Sequence, residues 1–216
     1  MEFDFDLTTI FPTDIVKIGL DMLPVNLDRT ATHYKNLSLI QQRISHVVDS
    51  MGNASARAQD LKQAITSASK VRAHSGEHTV YLLIDRVAEH GLGSVVGLLK
   101  VGKKNLFLMD RQGMQNEVYS MCILDFYVHE SRQRSGCGRA LFEYMLKDQE
   151  MGPQFMAIDR PSPKLLAFLA KYYDLSNPIP QVNNYVIFDG FFNNNNKECS
   201  PGPKRARIYM GKLQYV

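Results

Sequence analysis

From Met121 to Lys147 the chain passes through three different kinds of sequence, and their succession constrains the fold more than any other stretch. Met121 to His129 is nearly all apolar, which suits a central strand covered on both faces. Gln133-Arg134-Ser135-Gly136-Cys137-Gly138 follows, and its two glycines permit a tight bend with close backbone approach to a ligand. Arg139 to Lys147 then places Leu141, Phe142, Met145 and Leu146 at helical spacing. A helix entered through such a bend aims its unpaired N–H groups and positive dipole end at the bend. That geometry holds a phosphate or diphosphate.

The flanking sequence supplies the partners of this unit. Glu2 to Ile10 alternates Phe3, Phe5 and Leu7 with acidic or polar residues and predicts a half-buried strand. Ile40, Ile44, Val47, Val48 and Met51 predict a helix from near Ser38, continued or capped by Ala54 to Gln59. Thr66 to Gly76 is small and polar and reads as a loop. Thr79 to Ile84 is a predicted strand. Ser94 to Val101 and Leu106 to Met109 flank Gly102-Lys103-Lys104-Asn105, a predicted hairpin turn. Phe155 to Ile158 predicts a short strand, and Ser162 before Pro163 a helix start. Leu165, Leu166, Phe168, Leu169, Tyr172 and Tyr173 give that helix an apolar stripe, and Asn183 to Phe192 closes as a strand. The order predicts an α/β fold with a mixed central β-sheet flanked by helices.

Composition narrows the function classes. The net charge is +3, but Lys197, Lys204, Arg205, Arg207 and Lys212 oppose Glu198 alone, so the positive excess sits in residues 193–216. The body before them is nearly neutral, which argues against nucleic acid as its main ligand. Residues 193–216 read as a polar, basic tail expected to be disordered, with Pro201-Gly202-Pro203 resisting packing. No apolar run approaches the ~18 residues of a membrane span. No charged-then-apolar leader opens the chain, so the expectation is a soluble, intracellular protein without membrane insertion. Cys122, Cys137 and Cys199 show no zinc spacing, and no metal is expected.

The pattern Gln-x-x-Gly-x-Gly after a strand resembles the diphosphate loop of the GCN5-related N-acetyltransferases. Longer blocks narrow the resemblance: Cys122 to Ser131, Ala157-Ile158-Asp159-Arg160-Pro161-Ser162, Gln181 to Phe188, Met1-Glu2-Phe3 and Ala54 to Gln59. Together these resemble the alpha-tubulin N-acetyltransferase family over residues 1–192, which form one expected catalytic domain. One departure is Cys137, which stands where a family member carries His. Backbone amides do the holding there, so the loop's role is unaffected. The resemblance implies acetyl transfer from acetyl-CoA to a lysine ε-amine of α-tubulin in microtubules, in the cytoplasm and ciliary axoneme.

Such chemistry must free a lysine of its proton. With a pKa near 10.4, holding the amine neutral at pH 7 costs roughly 4 to 5 kcal/mol. A proton acceptor, desolvation or both must offset this. The resemblance implies Asp159 as the base; its sequence position alone favours a helix-entry cap or a surface residue. Cys122 would lie beside it, relaying a proton or shaping the pocket, although a lone Cys in an apolar strand is ordinarily packing. The resemblance also implies that Gln59 is crucial to activity. Asp125 carries its own signal, because an ionisable group inside Ile123-Leu124-Asp125-Phe126-Tyr127 must be paired or must face a cleft. Structural pairing and substrate contact are both open for it, and the fold implies a bulge in this strand.

Two segments are implied in cofactor binding. The first is Phe126-Tyr127-Val128-His129-Glu130-Ser131-Arg132-Gln133-Arg134-Ser135-Gly136-Cys137-Gly138-Arg139, supplying strand contacts to pantetheine and amides to the diphosphate. The second is Ser162-Pro163-Lys164-Leu165-Leu166-Ala167-Phe168-Leu169-Ala170-Lys171, with Lys164 and Lys171 as candidate phosphate partners. Direct attack by lysine on the thioester within a ternary complex is the expected route. The rivals are an acetyltransferase for a small amine or another protein, and a microtubule-binding protein without catalysis.

Overall fold

Two strands of unusual length frame the molecule: β3, Ser94–Met109, and β4, Gln115–Val128, paired antiparallel from Gly97 opposite Val128 to Met109 opposite Gln115. The computed structural model describes residues 1–27, 36–74 and 76–193. Around the long pair stand β1 (Ile15–Ile18), β2 (His78–Asp85), β5 (Ala157–Asp159), β6 (Pro178–Ile179) and β7 (Tyr185–Phe188). Their order is β1-β2-β3-β4-β5-β7-β6, so β4 is central as its apolar run requires. Every pairing is antiparallel except β4 with β5.

Helices cover both faces. α1 (Leu37–Ala58) buries Ile40, Ile44, Val47, Val48 and Met51 in a core with Val80, Leu82, Leu98 and Tyr127. On the other face α3 (Cys137–Asp148) and α4 (Pro163–Tyr173) bury Leu141, Phe142, Met145 and Leu169 with Leu83, Leu99 and Val101. Alternate residues of β2 and β3 therefore serve opposite cores, the period-two pattern of a doubly covered sheet. A third cluster holds Leu106, Leu108, Val118, Cys122, Leu124, Ala157 and Ile187.

Several expectations are corrected. Glu2 to Ile10 is not a strand: its apolar residues do pack on the core, but Asp6 accepts bonds from the Thr8 amide and hydroxyl, and the chain turns at Leu7. Gly102 to Asn105 is not a turn but part of β3. Gly102 is small because a Cβ there would meet the His78 ring at 2.4 Å. The reversal comes later, where Asp110 accepts from the Gln112 and Met114 amides and Gly113 takes φ +80°. Thr66 to Gly76 holds a short helix, α2 (Ala68–Ala73), capped by Ser67 and anchored by Val71 in the core. The Phe155 to Ile158 strand lies two residues later, and only Tyr185–Phe188 of Asn183 to Phe192 is extended. The tail from residue 194 onward lies outside the described residues.

Candidate active site

The site follows from the way β4 and β5 part. They pair only at Cys122 with Ala157 and Ile123 with Ile158. Beyond that β4 runs on to Val128, while β5 ends at Asp159. Arg160 turns the chain at φ +43°, and Ser162 caps α4 by accepting from the Leu165 amide at 3.2 Å. The cleft so opened is lined by Gln59, Ile123, Asp125, Phe126, Asp159 and Ser162.

A bulge decides what faces this cleft. Lys100 pairs with Asp125 but Val101 pairs with Ile123, leaving Leu124 extra. Simple alternation would put Asp125 and Cys122 on opposite faces. The extra residue brings Asp125 round to the α1 side, and Phe126 to the α3/α4 side, where it touches Phe142 and Phe168. Ala157 lies opposite Cys122 and Asp159 two residues on, so Cys122, Asp125 and Asp159 share a face.

Asp125 is 4% exposed. One carboxylate oxygen accepts from Ser55 Oγ at 2.6 Å and Gln59 Nε2 at 3.2 Å, the other from Thr66 Oγ1 at 2.6 Å. Burial pushes its pKa up, opposed by these donors and by Lys100. Lys100 is itself 3% exposed and pushed down to about 8 by burial. Asp125 is thus hydrogen-bonded within the protein while it also lines the cleft. Gln59 ends α1, and its Nε2 donates toward the Ser55 Oγ–Asp125 pair, at 2.8 Å from the hydroxyl and 3.2 Å from the carboxylate.

Asp159 is half-buried, with its pKa raised by burial and lowered less by Arg160 and Lys104. Cys122 is fully buried and pushed up to about 12 by burial and by Asp159, so it holds its proton at neutral pH. This suits packing or proton-holding beside Asp159, not a standing thiolate nucleophile. Tyr185 of β7 lies directly opposite Asp159 of β5, its phenol pushed up to about 12 by burial, Asp159 and Cys122.

The glycine bend has the expected form. Gly136 takes φ +86° at the N-cap of α3, a conformation costly for other residues. Gln133 Nε2 donates to the Val128 carbonyl at 2.9 Å and Ser135 Oγ to the Arg132 carbonyl at 2.6 Å, tying the bend to its strand. A Cβ on Gly138 would sit 3.4 Å from Phe126 and Val128, so bend and strand are in contact. The first amides of α3 have no carbonyl one turn earlier to meet, which fits a diphosphate of acetyl-CoA. Its charged flank is partly engaged: Arg132 pairs with Asp85, and Arg139 with Glu143 at 2.7 Å while lying over Tyr172. Arg134 makes no ion pair among the described residues. Tyr127 turns its ring into the α1 core, and Leu169 is fully buried, so neither side chain reaches the cleft. Among the described residues no group of His, Cys, Asp or Glu could hold a metal.

Sequence reasoning missed Ser55, Thr66, Lys100 and Tyr185. Lys100 carried the signal that exposed Asp125, an ionisable group within an apolar strand. Ser55 and Thr66 carried none, since small hydroxyls are at home on helices and in loops alike.

A model of the family described as GNAT acetyltransferase, Mec-17, matches residues 3–214. The alpha-tubulin N-acetyltransferase of Trichoplax adhaerens is 46% identical, the match covering 94% of this chain and 87% of that protein. That of Aedes aegypti is 43% identical, covering 96% and 74%. Alpha-tubulin N-acetyltransferase 1 of Danio rerio is 46% identical, covering 89% and 62%.

Proposed function

Because the chain belongs to the Mec-17 family of GNAT acetyltransferases, we propose that it moves the acetyl group of acetyl-CoA onto a lysine ε-amine of α-tubulin in microtubules. The observation that carries this reading is the cleft between β4 and β5, which connects the two faces of the sheet. On the α3/α4 side lie the glycine bend and Phe126, on the α1 side Gln59 and Asp159. A thioester fed from one side and an amine from the other meet without crossing.

Asp159 takes the proton of the incoming ammonium. Its pKa, raised by burial, makes it a stronger base than an exposed carboxylate. Partial burial also favours the neutral amine. Bound acetyl-CoA supplies an activated acyl group, and the bulge at Leu124 frees backbone N–H from the β3 ladder to polarise its carbonyl. Direct attack in a ternary complex needs no acyl-cysteine, in keeping with the protonated Cys122. Arg134, Lys164 and Lys171 are the proposed phosphate partners. No helix among the described residues is long and apolar enough to cross a membrane, and the proposed place of action is the cytoplasmic microtubule, ciliary axonemes included.

The test is incubation with acetyl-CoA and polymerised tubulin, then mass spectrometry of α-tubulin. Acetyl-lysine well above the no-enzyme background is expected. Background levels, with microtubule co-sedimentation intact, would replace the enzyme reading by a binding one.

A further inference from the structure

Gln59 ends α1 with its amide fully oriented. The nitrogen of Gln59 is the atom that faces Asp125, whose oxygens also accept from Ser55 and Thr66. That nitrogen points one N–H at the linked pair of Ser55 Oγ at 2.8 Å and Asp125 at 3.2 Å, which are themselves 2.6 Å apart and so share the same hydrogen. The amide oxygen has no partner among the described residues, and Gln59 lines the cleft shared with Asp159. Asp125 is itself immobilised by Ser55 and Thr66, which are 1% and 0% exposed. Thr66 in turn is held against α1: a Cβ on Gly52 would lie 1.9 Å from the Thr66 carbonyl oxygen, so helix and loop touch backbone to backbone.

We propose that Ser55, Thr66 and Asp125 are positioning residues that lock the Gln59 amide with its oxygen toward the cleft, where it accepts a hydrogen bond from the substrate amine. The site then holds two acceptors for the incoming nitrogen: Asp159, which takes the proton, and Gln59 Oε1, which orients a remaining N–H. Such a pair selects a primary amine and directs its lone pair. A secondary amine or a hydroxyl, with fewer hydrogens, satisfies it poorly. This inference rests on the lysine-acetyltransferase reading above. It differs from a direct role for Asp125 on substrate, because both of its oxygens are already occupied by donors of the protein.

Polarity provides the test. Gln59→Glu keeps an acceptor toward the cleft but sets a carboxylate against the Asp125 carboxylate, and a group displaced by about 1 Å can cost about a hundredfold in rate. The expected loss in kcat is about a hundredfold with acetyl-CoA affinity unchanged. In Gln59→Glu with Asp125→Asn the asparagine amide donates to the glutamate, and at least tenfold of the loss returns. Asp125→Asn alone keeps an acceptor for Gln59 and loses at most about tenfold. Should these exchanges unsettle the fold, Thr66→Val supplies a second measurement on the free protein. The side-chain amide proton that Gln59 directs at Ser55 and Asp125 is expected to exchange slowly in the parent and faster in Thr66→Val, with Thr66→Ser like the parent. A parent that acetylates tubulin while the double variant is no better than Gln59→Glu, or that Gln59 amide proton indifferent to Thr66→Val, overturns the positioning role and leaves the enzyme reading standing. A parent without transfer overturns the enzyme reading, and the amine contact with it.

Discussion

The two walls of the cleft are built by opposite means. The α3/α4 wall is one unbroken piece of chain: β4 leads into the bend, the bend into α3, and Ser162 into α4 within a few tens of residues. The α1 wall joins residues far apart, with Ser55 and Asp125 separated by 70 positions and Gln59 and Asp125 by 66. A wall made of one segment carries its geometry in its own residues, whereas a wall made by contact carries it in the packing between segments. The first should fail by losing ligand. The second should fail by losing rate.

That contrast can be broken at the base first. Asp159→Asn keeps shape and removes the proton acceptor, so kcat should fall about a thousandfold, within the range general-base removal spans, while acetyl-CoA affinity stays near the parent's. Calorimetry with acetyl-CoA beside steady-state kinetics on microtubules measures both. Equal turnover in variant and parent would move the base elsewhere.

The bend should behave in the opposite way. Gly136→Val forces a β-branched residue to φ +86°, costing roughly 1 to 3 kcal/mol, or about five- to hundredfold in cofactor affinity. Within the protein the cost is one of backbone, because a Cβ at Gly136 meets no protein atom within 4 Å. Gly136→Ala should therefore show much of the same loss. If alanine binds like glycine and only valine fails, the strain argument is wrong.

A pH profile sharpens the comparison further. Asp159 has its pKa raised by burial, so the acid limb of kcat/KM should lie above the ordinary carboxylate range, activity falling as pH drops through the raised value. The same sign governs stability: a carboxyl raised on folding contributes below its unfolded pKa and costs stability once pH rises through the folded one. Asp159→Asn should thus gain slightly in Tm, relative to the parent, at neutral pH over acid pH. A Tm difference independent of pH would contradict the raised pKa.

The smallest effect is expected at Cys122. A thiol held near 12 contributes no ionisation at working pH. Cys122→Ala should lose less than tenfold in kcat and roughly 1 kcal/mol of stability by denaturant titration. Iodoacetamide should leave the native thiol unmodified. Rapid alkylation or a thousandfold loss would restore a chemical role.

The sequence was most legible where geometry is local. The bend, the Ser162 cap and the apolar run of β4 are each stated by adjacent residues. The apolar alternation of residues 3 to 7 was real, but Asp6 closes a side-chain turn that ends extension, and burial alone does not make a ladder. Gly102 was misread because a glycine followed by Lys103-Lys104-Asn105 looks like a turn, whereas the reason for it is a ring on the neighbouring strand. The bulge at Leu124 decides which side Asp125 faces, and no residue in β4 announces it; the resemblance alone implied a bulge. Thr66 was unreadable for the same reason, since its partner lies 59 positions away.

The central claim is that the parting of β4 from β5 receives a thioester from the glycine bend and an amine from the α1 side. A crystal structure with acetyl-CoA tests it most directly. The account predicts the diphosphate on the amides at Gly136 to Arg139 and the acetyl carbon between the Leu124 bulge and Asp159. A diphosphate bound elsewhere, or an acetyl group directed away from Asp159 and Gln59, would contradict it.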